Sequence, residues 1–84
     1  MRTPVEGEKV FVIENDYVEV GEVESCGELL VGIVLSTGVR ILRTYGDVFH
    51  DELSCAMELR ERLREKLKSV ERYVRSLQER VIFG

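Results

Sequence analysis

The stretch that decides the fold is residues 51–81, which read DELSCAMELRERLREKLKSVERYVRSLQERV. It contains no glycine and no proline, so no residue in it favours a break in an α-helix. Apolar residues recur at alternating steps of three and four and fill eight of nine positions of a heptad a/d register. The nine positions are Leu53, Ala56, Arg60, Leu63, Leu67, Val70, Val74, Leu77 and Val81. This spacing predicts one long C-terminal helix, with Asp47 or Asp51 as its N-cap.

The apolar stripe of this helix changes width along its length. Between Leu53 and Leu63, Met57 and Leu59 widen it, which favours packing against a sheet. Beyond Leu63 the stripe narrows to the a and d positions, which is typical of a helix that packs on another helix. Thirty helical residues span about 45 Å, whereas a head of ~50 residues is only about 25 Å across. We therefore expect an oligomer interface, the seam, formed by Leu63, Leu67, Val70, Val74, Leu77 and Val81. The alternative is a monomer whose helix bends back over the sheet.

The residues beside the seam leave the orientation and number of helices open. In a parallel pair Lys66 would lie opposite Glu71, an attraction, and Tyr73 opposite Gln78. Arg60 occupies an a position, where burial of its charge would be costly. The apolar chain end, residues 81–84, is expected to be buried within the oligomer.

Residues 1–50 have the two-residue period of β-strands. Strands are predicted at 10–13, 17–23, 29–35 and 39–44, separated by turn residues, with the most apolar one, 29–35, in the centre. Gly21 interrupts the second strand and indicates a bulge or a sharp coil. The fold class is therefore α+β: a small antiparallel β-barrel or meander of four to five strands, SH3-like or OB-like, followed by the helix of residues 51–84 in one folding unit. A flat four-stranded sheet covered by the helix is the second possibility.

The charge divides between these two parts. Residues 1–57 carry four basic and eleven acidic side chains, a net charge of −7, and residues 58–84 carry eight basic and five acidic side chains, a net +3. This asymmetry suggests association. The start of the chain has no apolar export signal, and the longest apolar stretch is too short to span a bilayer, so we expect a cytoplasmic protein without membrane contact. Nine arginines and only two side-chain amides favour a heat-adapted source.

The cysteines allow three interpretations. Cys26 and Cys55 could be inert thiols, a disulfide, or, for Cys55 near a helix N-terminus, a reactive thiol of lowered pKa. A zinc site from both cysteines and His50, with Asp47 or Asp51, has suitable chemistry, but the spacing matches no zinc motif. No catalytic motif is present either, so we expect no enzyme, no metal and no cofactor.

The basic helix gives the second functional hypothesis. Arg62, Lys68, Arg72 and Arg75 could contact nucleic acid, although five acids are mixed into that helix and the acidic head would repel phosphate. The first hypothesis is a non-catalytic interaction or assembly module, a homodimer or higher homo-oligomer joined through the helix, with a further protein partner possible. The alternative is a nucleic-acid-binding accessory protein that uses the basic helix face.

Overall fold

The computed structural model describes the backbone of residues 3–83 and the side chains of residues 3–81. Four strands come first: β1 (Lys9–Glu14), β2 (Tyr17–Cys26), β3 (Leu30–Leu35) and β4 (Arg40–Thr44). A 3₁₀ turn at Tyr45–Asp47 follows, and then α1 (Glu52–Phe83). The α+β class, the antiparallel meander and the single long helix are confirmed.

The strands pair antiparallel in the order β1-β2-β3-β4, because each pair of neighbours is joined by a short turn. Asn15 and Asp16 form the two-residue turn between β1 and β2, and both have positive φ, 52° and 63°. Asparagine and aspartate tolerate that left-handed conformation better than other side chains do. The most apolar strand, β3, lies inside the sheet as predicted.

Gly21 has a different role from the one expected. The register of β2 on β3 shifts between Val23 and Ser25, so the bulge lies there and not at Gly21. Gly21 instead allows close packing, because a Cβ built on it would lie 2.6 Å from Cγ2 of Ile33 and 3.0 Å from the carbonyl oxygen of Val34. The strand needs a glycine here because any side chain would displace β3.

The hydrophobic core lies on one face of the sheet. Valine dominates it because β-branched side chains alternate along β1, β2 and β3 and pack well on a pleated surface. Ile41 and Tyr45 cover its border. The core residues are Val10, Val12, Val23, Val31, Ile33, Leu35 and Val48.

The sheet is not closed into a barrel: across the described residues 3–83, β1 and β4 do not pair. Two smaller contacts involve the edge strands β1 and β4. Phe49 bridges to Phe11 on the outer edge of β1, where the amide of each donates to the carbonyl of the other at 2.8 and 2.9 Å. The guanidinium of Arg43 on β4 forms an ion pair with Glu14 at the end of β1. Backbone hydrogen bonds from Phe49 thus cover part of the β1 edge, and one ion pair links β4 to β1.

Asp51 is the N-cap of α1. Its Oδ1 accepts a hydrogen bond from the amide of Ser54, and its Oδ2 accepts one from the Ser54 hydroxyl, both at 2.8 Å. These hydrogen bonds lower the pKa of Asp51, because they favour the charged carboxylate. Of the two predicted caps, Asp51 is confirmed, and the helix begins one residue later.

The face of α1 that packs on β1 and β2 differs from the predicted one. Cys55 is completely buried and Leu59 is half-buried, whereas Leu53 is 68% exposed and Met57 is 47% exposed. The predicted packing of the Leu53–Leu63 stripe on the sheet is therefore wrong, apart from Leu59. Within the described chain, no helix combines the length and the apolar character needed to cross a membrane.

Candidate interface on the helix

Two ion pairs join α1 to turns of the head and add to the packing of Cys55 and Leu59 on the sheet. Arg62 donates to Asp47 at 2.8 Å and to Glu58 at 3.1 Å, and Lys66 donates to Asp16 of the β1–β2 turn at 2.6 Å. The hydrogen bond from Arg62, followed by one from Thr44, lowers the pKa of Asp47. The same pair raises the pKa of Arg62, because Asp47 stabilises the charged guanidinium. Among the described residues, Lys66 is the last residue of α1 that forms an ion pair with the head.

Beyond Lys66 the helix extends away from the head. The molecule measures 58 × 24 × 22 Å, so its long dimension exceeds its width more than twofold. All residues of α1 from Arg60 to Val81 are exposed. The helix does not bend back over the sheet, which was the alternative for a monomer.

The six seam residues lie together on one exposed face of α1. Their exposed fractions are 41% for Leu63, 58% for Leu67, 55% for Val70, 44% for Val74, 39% for Leu77 and 85% for Val81. At 3.6 residues per turn, this face lies roughly 70° around the axis from the face that meets the head. The strands of the same chain therefore leave the seam uncovered.

Charged and polar residues border the seam on both sides. Arg64, Glu71 and Gln78 follow one border, and Lys66, Tyr73 and Arg80 follow the other. Arg64 is paired with Glu61 at 2.9 Å through Nη1, on an exposed surface. Such exposed pairs contribute little to stability, so the border residues keep the capacity to bind a partner.

The four residues predicted to contact nucleic acid do not form one open basic surface. Arg62 is already held by Asp47 and Glu58. Lys68 lies 3.6 Å from Glu65, and Arg72 donates to the backbone carbonyl of Lys68. Arg62 also lies on the face toward the head, about 120° around the axis from Lys68. The four residues are therefore split between two faces, and Arg62 serves to position the helix.

The candidate thiol and metal residues are separated. Both cysteines are free thiols, Cys26 exposed and Cys55 buried. Burial raises the pKa of Cys55, so the reactive thiol of lowered pKa is contradicted. Nδ1 of His50 lies 2.6 Å from Oε2 of Glu8. Among the described residues, no three His, Cys, Asp or Glu side chains gather in a way that could hold a metal ion.

Sequence reasoning missed the two acidic turn residues that anchor the helix, Asp16 and Asp47. The available signal was charge: Asp16 lies in a predicted turn of the acidic head, Asp47 is a candidate N-cap before the helix, and Arg62 and Lys66 lie four residues apart on one helix face. The predicted burial of the chain end falls largely on residues 82–84, whose side chains lie outside the described part.

Comparison with known protein families, with curated proteins and with solved structures gives no match to this chain.

Proposed function

We propose that this protein is a non-catalytic assembly module that forms a homodimer by packing the seams of two copies against each other. The observation that carries the proposal is the exposure of six aliphatic side chains at a/d spacing on one helix face. Together they expose roughly 500 Å² of mostly apolar surface, which is near the upper end for the largest patch on a monomeric protein.

The size of this surface is adequate for a pair. Two seams would bury roughly 1,000 Å² in all, and the border residues on each side would add to it, which reaches the range of specific interfaces. A narrow a/d stripe fits the groove of another helix better than it fits a flat surface. The borders carry both signs of charge, so the helix is complementary to itself and a second copy is the occupant that fits.

For the head, we propose the SH3-like subtype over the OB-like one. The strands pair in sequential order as a meander, whereas an OB-fold is a Greek-key barrel in which the fourth strand lies beside the first. The bridge at Phe49 supports this subtype, because it places the segment after β4 against β1. In this proposal the dimer is cytoplasmic and presents two acidic heads on one helical scaffold.

The experiment is a solution mass measurement over a range of protein concentrations, by light scattering or sedimentation. The proposal expects twice the 9.7 kDa of one chain at micromolar concentrations, with dissociation on dilution. A chain that stays monomeric at every concentration would refute the dimer.

Nucleic-acid binding through the basic helix is the second candidate, and the ion pair of Arg62 with Asp47 weakens it. Titration of the protein into random-sequence duplex DNA at increasing salt separates the two functions. If the protein is an assembly module, we expect no binding to the DNA even at low salt. A log–log salt slope of several units would favour nucleic acid instead.

A further inference from the structure

We infer that the second copy lies antiparallel, with residues 56–81 of the two helices side by side, so that the tail of each helix lies beside the head of the other. This inference rests on the proposed function and adds the orientation and register of the partner. Two features of the chain favour it over a parallel pair, namely the layers of the seam and the separation of charge between head and tail. A further feature, the residues at the borders of the seam, is compatible with it.

The first feature is the order of side chains in the seam. In the antiparallel register, Leu63 packs on Val74 of the partner and Leu67 on Val70 of the partner, so every central layer pairs a leucine with a valine. Arg60 then faces Leu77 of the partner. A parallel, in-register pair would instead set Arg60 against the partner's Arg60, with two like charges in one layer of the interface.

The second feature is the pairing at the borders, where an antiparallel pair brings each border against the same border of its partner. Arg64 faces Glu71 of the partner, twice by symmetry, and Lys66 faces Tyr73 of the partner. Arg64 uses only Nη1 for Glu61, which leaves the rest of its planar fork for a second carboxylate. Lys66 can approach the aromatic ring while it holds Asp16. No like charges oppose each other in this register. A parallel pair would likewise set Lys66 opposite Glu71 of the partner, so the choice between the two orientations rests on the seam and on the charged ends.

The third feature is the charge of the two ends. Residues 1–57 have a net charge of −7, and residues 68–84 carry four basic and two acidic side chains, a net +2. The antiparallel arrangement brings the basic tail of one copy beside the acidic head of the other. A parallel arrangement would bring two heads of −7 to the same end, where they repel each other within the screening length of about 8 Å at physiological salt.

Disulfide trapping tests the orientation directly. The background is Cys26→Ser, which removes the exposed thiol, while the buried Cys55 is retained. The test variant adds Leu63→Cys and Val74→Cys together, and each substitution alone is the matched control. Within one chain the two positions are about 16 Å apart along the helix, which is too far for an internal disulfide.

If the pair is antiparallel, we expect a covalent dimer from the double variant under mild oxidation and no covalent dimer from either single variant. Covalent dimers from both single variants would show a parallel pair and overturn the inference. A non-covalent dimer that no variant traps would overturn the register. If the double variant is monomeric by mass, Ala56→Cys with Val81→Cys, at the ends of the interface, repeats the test. Failure of the wild type itself to dimerise would refute the proposed function, a result that the mass measurement reports separately.

Salt provides a second readout that needs no substitution. An antiparallel pair with complementary ends expects the dissociation constant of the wild type to rise several-fold between low and high salt, because salt screens the attraction. If the pair were parallel, the dissociation constant should fall as salt is added, because salt would relieve the repulsion between the heads. A dissociation constant that falls with salt would therefore contradict the inference.

Discussion

Replacement of Leu67 and Leu77 by glutamate should separate the two copies. In the single chain these side chains are 58% and 39% exposed, which together corresponds to about one fully exposed leucine. Burial of one leucine contributes about 1.5–3 kcal/mol, so the two copies of a dimer together lose about 3–6 kcal/mol from the apolar contacts alone. That loss raises the dissociation constant by roughly two to four orders of magnitude. Burial of the new carboxylates would add to it.

The matched control is Ser69→Glu with Ser76→Glu, which adds the same charge to α1 outside the seam. Sedimentation of the wild type and both variants at equal micromolar concentration gives the masses. We expect the seam variant to be a monomer and the control to remain a dimer. Because Leu67 and Leu77 lie beyond the last contact with the head, Cys55 should stay protected from thiol reagents in both variants.

Two results would refute this reasoning. The first is a seam variant that dimerises as tightly as the wild type, which would place the interface elsewhere. The second is equal dissociation of the seam and control variants, which would show that added charge, and not the loss of the seam, separates the chains.

Three further predictions concern the head and its contacts with the helix. Gly21→Ala should lower the free energy of unfolding by about 1–3 kcal/mol in a denaturant titration, because its Cβ would lie 2.6 Å from a core side chain. The control Gly46→Ala, with nothing within 4 Å of the added Cβ, should change the free energy of unfolding by less than about 0.5 kcal/mol. Equal effects of the two substitutions would contradict the packing role of Gly21. The pKa of Asp47 is lowered from its ordinary 3.8 mainly by a hydrogen bond from an arginine, so its contribution to stability is present above 3.8 and is lost as the pH falls through the lower folded value. As the pH is lowered from about 5, the melting temperature of the wild type should therefore fall more steeply than that of Asp47→Asn. If the melting temperatures of both proteins fall equally steeply, the ion pair has no effect on stability. Thiol counting should detect one thiol that reacts at once, Cys26, and a second, Cys55, only after unfolding; rapid reaction of both would show that the first turns of α1 are not docked.

The elements that depend on local sequence could be predicted. The extent of α1 follows from a stretch without glycine or proline, bounded by Asp51. The strands follow from valine-rich alternation between turn residues such as Asn15 and Gly38, both of which have positive φ. The seam is read from spacing alone, because an a/d pattern is a property of one helix.

Features that depend on tertiary geometry could not be predicted. Whether four strands close a barrel depends on the curvature of the sheet, and the register shift of β2 between Val23 and Ser25 has no signal in the sequence. The docking face of α1 escaped detection because two of its members, Arg62 and Lys66, are charged, and hydrophobic spacing gives no weight to them. Its buried member is Cys55, which the sequence presents as a candidate for chemistry and the structure buries as a small apolar side chain.

The open sheet raises the question of aggregation, because the unpaired backbone groups of an edge strand are a template for strands of other molecules. β4 is such an edge, yet two of its five residues are arginine, and Arg43 donates to the carbonyl of Leu42 at 2.9 Å while it holds Glu14. Along the opposite edge, the amide and the carbonyl of Phe11 are already hydrogen-bonded to the backbone of Phe49. Strand-by-strand polymerisation is thus hindered on both sides, so heads could be crowded at high local concentration without fibre formation.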